Sequence, residues 1–261
     1  NERLSDFVSQ LISNYLLLPL HLTIYETNKH ELSLNGIFSH TKASRPSTYQ
    51  IDNLPTYSSS GNEKPEFVRL QIDYLYTFEN QGQLETGIQF FSRRNKTRYN
   101  LHDTEETLDN WLSNLPPNDG LNHREYIYTA HLSYSRQQGE FWLYKIGILA
   151  DYDITRTKLM ENTDKHNFDR FYFYPHLTLQ YTPSDQQELA FHFTRKAAHP
   201  DYTQLNPFTN PIDHQTFEQG NPLLRPEITN RAEINYLLHG EKIQLNGNLY
   251  FNSTKRFITP V

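Results

Sequence analysis

His199, Asp201 and His214 are imidazole and carboxylate donors of the type that a divalent cation accepts, and they fall in one polar stretch. Their spacing does not fix how near they stand, so solvated loop side chains are the favoured reading. Asp151 and Asp153 are two apart, which places them on one face of an extended segment. That is a carboxylate pair of glycosidase type, or the wet lining of a pore. Arg93, Arg94, Lys96 and Arg98 form a basic run suited to anionic lipid headgroups or a charged ligand, and equally to a solvated strand end. The Asn-x-Thr triplets at Asn95 and Asn252 carry no further signal. There is no Gly-x-Ser-x-Gly elbow, phosphate-binding glycine loop or His-Glu-x-x-His motif, and no cysteine. The expectation is a protein that is not an enzyme and has no resident metal or cofactor.

What positions these residues is a repeated two-residue alternation. In "FWLYKIGILADYDIT", Trp142, Tyr144, Ile146, Ile148, Ala150, Tyr152 and Ile154 fall on one side, and Lys145, Asp151 and Asp153 on the other. Period two is a β-strand, because helical spacing would mix the charges into the apolar set. Tyr126, Tyr128, Ala130, Leu132 and Tyr134 alternate in the same way with Glu125, Thr129, His131 and Ser133. Taken alone, one dry face packs on a second sheet in a soluble sandwich or meets lipid in a membrane barrel.

Composition narrows the choice. Only 36% of the 261 residues are hydrophobic, yet 14% are aromatic, and the longest apolar tract, Tyr15 to Leu20, holds Pro19. A spanning helix needs roughly 20 apolar residues, so a helical membrane protein is excluded, whereas barrel strands show lipid only every second residue. A net charge of −6 argues against a phosphate-backbone surface, so nucleic acid is not an expected partner.

Five hairpins are predicted: Tyr15 to Tyr25 with His30 to Thr41, Glu66 to Phe78 with Gln83 to Lys96, His123 to Ser135 with Glu140 to Thr157, Phe168 to Tyr181 with Gln187 to Lys196, and Thr229 to Leu238 with Lys242 to Lys255. Each closes through a short polar turn, such as "ENQGQ" or "RQQGE". The connections between hairpins, 42–65, 98–122, 159–167 and 197–228, are mostly long. Short turns at one end and long loops at the other describe a transmembrane barrel. The fold class expected is therefore all-β: an antiparallel up-and-down transmembrane β-barrel segment of about ten strands. From Trp142 to Tyr152, ten steps of about 3.3 Å at a tilt of about 45° span roughly 23 Å, close to the apolar band of about 25 Å. The first dozen residues are open between a short helix capped by Ser5 or Asp6, a strand and an interfacial turn.

A family resemblance begins at Phe168. Pro200, Tyr202, Leu205, Asn206, Pro207 and Phe208, then Gly220, Asn221, Pro222, Leu224, Pro226 and Glu227, resemble two loop segments of TonB-dependent outer-membrane receptors, in the outer-membrane β-barrel family of Bacteroidetes type. The likeness runs from about Glu66 to Val261; Ala198, His199 and Pro200 depart from the family's basic-proline pair. The resemblance implies a barrel of about 22 strands closed by an N-terminal plug. This chain would then be an internal piece of the barrel, with the plug and remaining strands outside it. It also implies a bacterial outer-membrane location, lipid and the TonB complex as partners, and uptake of a scarce nutrient such as a siderophore, cobalamin, glycan or peptide. Candidate ligand-contacting residues are Tyr202, Asn206, Phe208, His214, Asn221 and Arg225. The Pro and Gly residues of the segment from Gly220 to Glu227 serve first as rigid turn elements entering a strand. The alternative function is a soluble β-sandwich carbohydrate-binding module, followed by an outer-membrane barrel enzyme.

Overall fold

The structure is a computed structural model and describes residues 6–9, 12–50, 57–103, 118–159, 165–207, 210–211, 217–240 and 242–259. In chain order the strands are β1 (Asp6–Ser9), β2 (Ile12–Glu26), β3 (His30–Gln50), β4 (Tyr57–Glu63), β5 (Glu66–Thr77), β6 (Gln83–Asp103), β7 (Asn118–Gln138), β8 (Trp142–Leu159), β9 (Lys165–Ser184) and β10 (Gln187–Ala198). A single turn, α1 (Tyr202–Leu205), and two short strands, β11 (Asn210–Pro211) and β12 (Phe217–Glu218), follow; β13 (Glu227–His239) and β14 (Gln244–Lys255) end the described fold.

All but β11 and β12 belong to one 12-stranded sheet whose pairings are antiparallel. Two of its strands are each divided into two segments. β3 pairs with β4 at Ser44↔Asn62 and with β5 at His40↔Glu66 in one unshifted register. β4 and β5 are thus one strand interrupted at Lys64 and Pro65, where proline has no N–H to donate. The Pro65 carbonyl still accepts from Thr41 N at 2.9 Å, and Lys64 N donates to the Lys96 carbonyl at 3.0 Å. β1 and β2 likewise share one register on β3, through Phe7↔Tyr49 and Ile12↔Ser44. Counting each divided strand once, the sheet has ten antiparallel strands in five hairpins, as the alternation predicts.

Burial is inverted relative to a water-soluble domain. Buried side chains include the polar Ser33, Asn95, His123, Glu125, Asp151 and Asp153, whereas Leu70, Ile88, Leu132, Ile148 and Leu249 are exposed. Ile148 is 40% exposed and Asp153 only 3%. In water that arrangement forfeits the main favourable term in folding, the removal of apolar surface; in a bilayer it satisfies it. Among the described residues the only second sheet is the two-stranded β11-β12 ribbon, so nothing covers the apolar face as a soluble sandwich requires.

Aromatic rings mark the turn end of that face. His30 packs on Tyr76 with centroids 5.0 Å apart, Tyr76 on Phe78 at 4.6 Å, Phe78 on Tyr134 at 6.0 Å, Tyr134 on Tyr144 at 6.1 Å, and Trp142 on Tyr181 at 4.5 Å. This is an interfacial girdle running from β3 to β9. The tight turns below it need left-handed backbone at Gln81 (φ 62°) and Gly139 (φ 64°); the glycine adopts it without a Cβ penalty.

The connections differ from expectation. Much of 42–65 and 98–122 is strand, because β3, β4, β6 and β7 continue beyond the apolar band. "STYQ" and "YSSSGNE" lack the apolar half of the alternation, yet their backbones pair in register on both sides. Residues 51–56, 104–117 and 160–164 lie outside the described residues. At the N-terminus, Asp6 to Ser9 form a strand, since the extended end of β3 supplies a hydrogen-bonding partner that an isolated helical pattern does not reveal.

Candidate functional site

The concave face of the sheet is a connected polar wall. Alternation brings Glu85, Gln89 and Arg93 of β6 beside Ser133, Thr129 and Glu125 of β7, and Lys145 and Asp151 of β8 beside Ser135 and Thr129. Lys145 Nζ donates to Glu85 Oε2 at 3.2 Å, Thr129 Oγ1 to Asp151 Oδ1 at 2.6 Å, and Asn35 Nδ2 to Asp73 Oδ2 at 3.3 Å. Two glycines make room in this wall. A Cβ on Gly87 would collide with His131 and Asp73, and one on Gly147 with His176 and Ser133. The wall lines an open hollow of about 720 Å³ bordered by Arg69, Arg93, Lys145, Asp151 and His199 together with the apolar Phe91, Ile127 and Leu149. That is ample for a small ligand.

At its open end the wall meets the long connection after β10. Arg93 pairs with the buried Glu125 at 2.9 Å, His199 Nδ1 lies 3.3 Å from the other oxygen of Glu125 and 3.9 Å from Asp153, and His123 bonds Thr157 at 2.9 Å. Burial alone would lower the His199 pKa. The hydrogen bond and charge of Glu125, with Asp153 and Asp151 behind, outweigh it and hold the imidazole above its ordinary value. His199 therefore ties the start of the connection to β7 and β8. Pro200, Leu205, Pro222, Leu224 and Pro226 border one small hollow with Phe168 and Arg170 of β9 and with Glu125 and Asp153 of the wall, so the connection folds inward over it.

Its two proline-rich segments interlock through backbone. Gly220 N donates to the Asn206 carbonyl and Asn221 N to the Gln204 carbonyl, each at 2.7 Å, while Asn221 Oδ1 accepts from Leu223 N at 2.9 Å. Gln219 Nε2 adds a bond of 2.7 Å to the Pro207 carbonyl. With Leu205 and Ile228 buried, this is a folded hydrogen-bonded cap.

The sequence profile of the outer membrane protein beta-barrel family matches residues 24–261. The chain belongs to that family. This outer membrane barrel protein has its place in the bacterial outer membrane, where the exposed apolar face meets lipid. No curated protein matches it. Its fold is similar to that of the copper transporter OprC, at 15% identity and a TM-score of 0.68 over 98% of this chain and 41% of that one. The unliganded ferric citrate transporter FecA gives 11% and 0.62 over 94% and 35%. The ferric yersiniabactin uptake receptor FyuA from Yersinia pestis gives 11% and 0.59 over 95% and 36%. The chain spans less than half the length of each.

Within the outer membrane barrel protein, the residues singled out by type and spacing separate. Tyr202 opens α1; Asn206 and Asn221 hold the interlock; Arg225 is exposed beside it; Phe208 and His214 lie outside the described residues. His199 does join a set with metal-ligand chemistry, with Glu125 and Asp153, the ligand atoms of all three lying within 4.8 Å of one another; Asp201 is not in that set, and His214 lies outside the described residues. Arg93 already neutralises Glu125, so the set reads as an ion-pair network. Asp151 and Asp153 are tied separately, one to Thr129 and the other to Thr155. Sequence reasoning missed Glu125 and Arg93 as the centre of the network. Both stand on the polar face of their strands, and that is the signal that was available; which charges meet depends on register.

Proposed function

We propose that this barrel segment belongs to a TonB-dependent receptor that takes up a scarce small nutrient across the outer membrane. The carrying observation is the charged concave wall, with its open hollow of about 720 Å³, under a connection folded inward and tied by His199. A wall bearing Arg69, Arg93 and Lys145 beside Glu125 and Asp151 offers donors and acceptors to a polar or chelated ligand, in a site already shaped before binding. That the fold relatives include a copper transporter, a ferric citrate transporter and a ferric yersiniabactin uptake receptor supports the reading. In this reading the plug and remaining strands lie in other parts of the protein, and energy arrives through the TonB complex. A siderophore complex, cobalamin, glycan or peptide would be held by the wall and by the cap around Asn206, Asn221 and Arg225.

The test is uptake by cells with and without the gene, offered radiolabelled ferric siderophore, cobalamin, oligosaccharide and peptide in turn. Uptake of one class should vanish on deletion and on collapse of the proton gradient. Full uptake of every class in the deletion strain, or uptake indifferent to the gradient, would remove the proposal.

A further inference from the structure

We propose that Glu125, Asp153 and His199 form a binding site for a divalent transition cation of the zinc type, which clips the connection after β10 onto β7 and β8. The inference goes beyond nutrient uptake and rests on the fold alone.

The three side chains come from three elements: Glu125 from β7, Asp153 from β8, and His199 from the first residue after β10. Register brings the two acids together, since Asp153 stands opposite Ile127, two residues from Glu125 on the same face. Each acid is anchored through one oxygen and presents the other. Glu125 Oε2 takes the Arg93 guanidinium at 2.9 Å, while Oε1 lies 3.3 Å from His199 Nδ1. Asp153 Oδ1 accepts from the Thr155 hydroxyl at 3.0 Å, while Oδ2 lies 3.9 Å from the same nitrogen. Anchoring of this kind is what outer partners give to metal ligands. One ligand atom from each residue lies within 4.8 Å of the other two. Two ligands about 2.1 Å from zinc at the tetrahedral angle stand about 3.4 Å apart, so movements of about 1 Å close the set on a cation.

A second observation points to the same place. His123 is only 1% exposed, bonds Thr157 through Nδ1 at 2.9 Å, and leaves Nε2 buried without a partner. With Glu125, Asp153 and His199 it borders a hollow of about 20 Å³, room for one water. A water completing the tetrahedron of the metal would donate to that nitrogen, in the tautomer that carries the ring proton on Nδ1. Carboxylate and imidazole donors without a thiolate suit zinc and its neighbours, whereas calcium asks for about six to eight oxygens. With a proton on His199 Nδ1 the set is the ion-pair network; zinc replaces that proton, which is released on ligation. Arg170, opposite Asp153 and held over the Phe168 ring at 4.3 Å, borders the hollow too and is the charge that opposes the cation. Bound there, the metal joins two strands to the connection and holds the cap on the wall.

The test uses the intact protein extracted in nonionic detergent, stripped with a chelator and titrated with zinc chloride. Bound metal is counted by atomic emission, and cleavage within 200–226 is followed with a serine protease. The parent should bind one zinc per chain more than a variant combining Asp153→Asn and His199→Gln, and zinc should slow cleavage severalfold in the parent alone. Asp153→Asn by itself, which keeps an oxygen for Thr155, should weaken binding tenfold or more. Arg170→Met should tighten it severalfold, Asp201→Asn should leave it unchanged, and excess calcium should not displace the zinc. Equal zinc counts in the parent and the double variant, cleavage of the parent indifferent to zinc, or full displacement by calcium would each overturn the proposal. Neither readout involves uptake, so these outcomes are independent of the transport proposal.

Discussion

Ile148→Arg probes whether the exposed apolar face meets lipid. Ile148 lies on the outward face between Leu132 and Pro175, four residues from Tyr144 and four from Tyr152. Four steps of about 3.3 Å at a tilt of about 45° are roughly 9 Å along the membrane normal, which puts Ile148 near the midplane between the two aromatic rows. An arginine there should cost about 2 to 4 kcal/mol, while Ile154→Arg, beyond the outer row, should cost about 0 to 1. Asp151→Asn on the lumen face keeps an oxygen for the Thr129 hydroxyl and should cost no more than about 1.5 kcal/mol. Reversible urea unfolding from phosphatidylcholine vesicles measures all three. On a solvated surface Ile148→Arg would stay within about 0.5 kcal/mol of the parent. That result, or equal costs at positions 148 and 154, would refute the lipid-facing assignment.

The remaining predictions concern the concave wall and its tie to the cap. Gly87→Ala and Gly147→Ala should each lose about 1 to 3 kcal/mol in the same assay by forcing His131 and His176 aside, whereas Gly247→Ala, whose Cβ would meet nothing, should be close to neutral. Arg93→Met leaves Glu125 buried beside His199 alone and should destabilise by about 3 kcal/mol or more; adding Glu125→Leu should recover part of that loss. Because the folded pKa of His199 is raised, its stabilising contribution is complete below the unfolded value near 6.5 and is lost as pH rises through the folded value. Proteolysis within 200–226 should accordingly accelerate on the alkaline side in the parent, and show little pH dependence in His199→Gln; a parent more resistant at alkaline pH would contradict the sign.

Period-two alternation was enough to identify the five hairpins and to place Ile148 and Asp151 on opposite faces, because each strand's pattern is local. The strand extensions were not legible: "YSSSGNE" has no apolar stripe, and it pairs because β3 and β6 flank it. For the site, the proline-rich motifs were visible and their interlock was not, since Asn206 to Gly220 is a backbone contact that spacing does not encode. His199 was noticed as a possible ligand, yet its partners lie on β7 and β8, reached only when register stacks Glu125 beside Thr155. Arg94, Arg124 and Arg156 come from three segments of the sequence and become one row only in the sheet.

The most direct measurement of the inside-out wall is nitroxide accessibility along β8. These 261 residues include no cysteine; with any cysteine elsewhere in the protein replaced, Leu143→Cys through Ile154→Cys can be labelled one at a time in the protein reconstituted in vesicles. The account predicts that oxygen, concentrated in lipid, relaxes labels at positions 146, 148 and 150, while a water-soluble nickel chelate relaxes those at 145, 151 and 153, in strict alternation. A strand equally accessible to the chelate on both faces would contradict it.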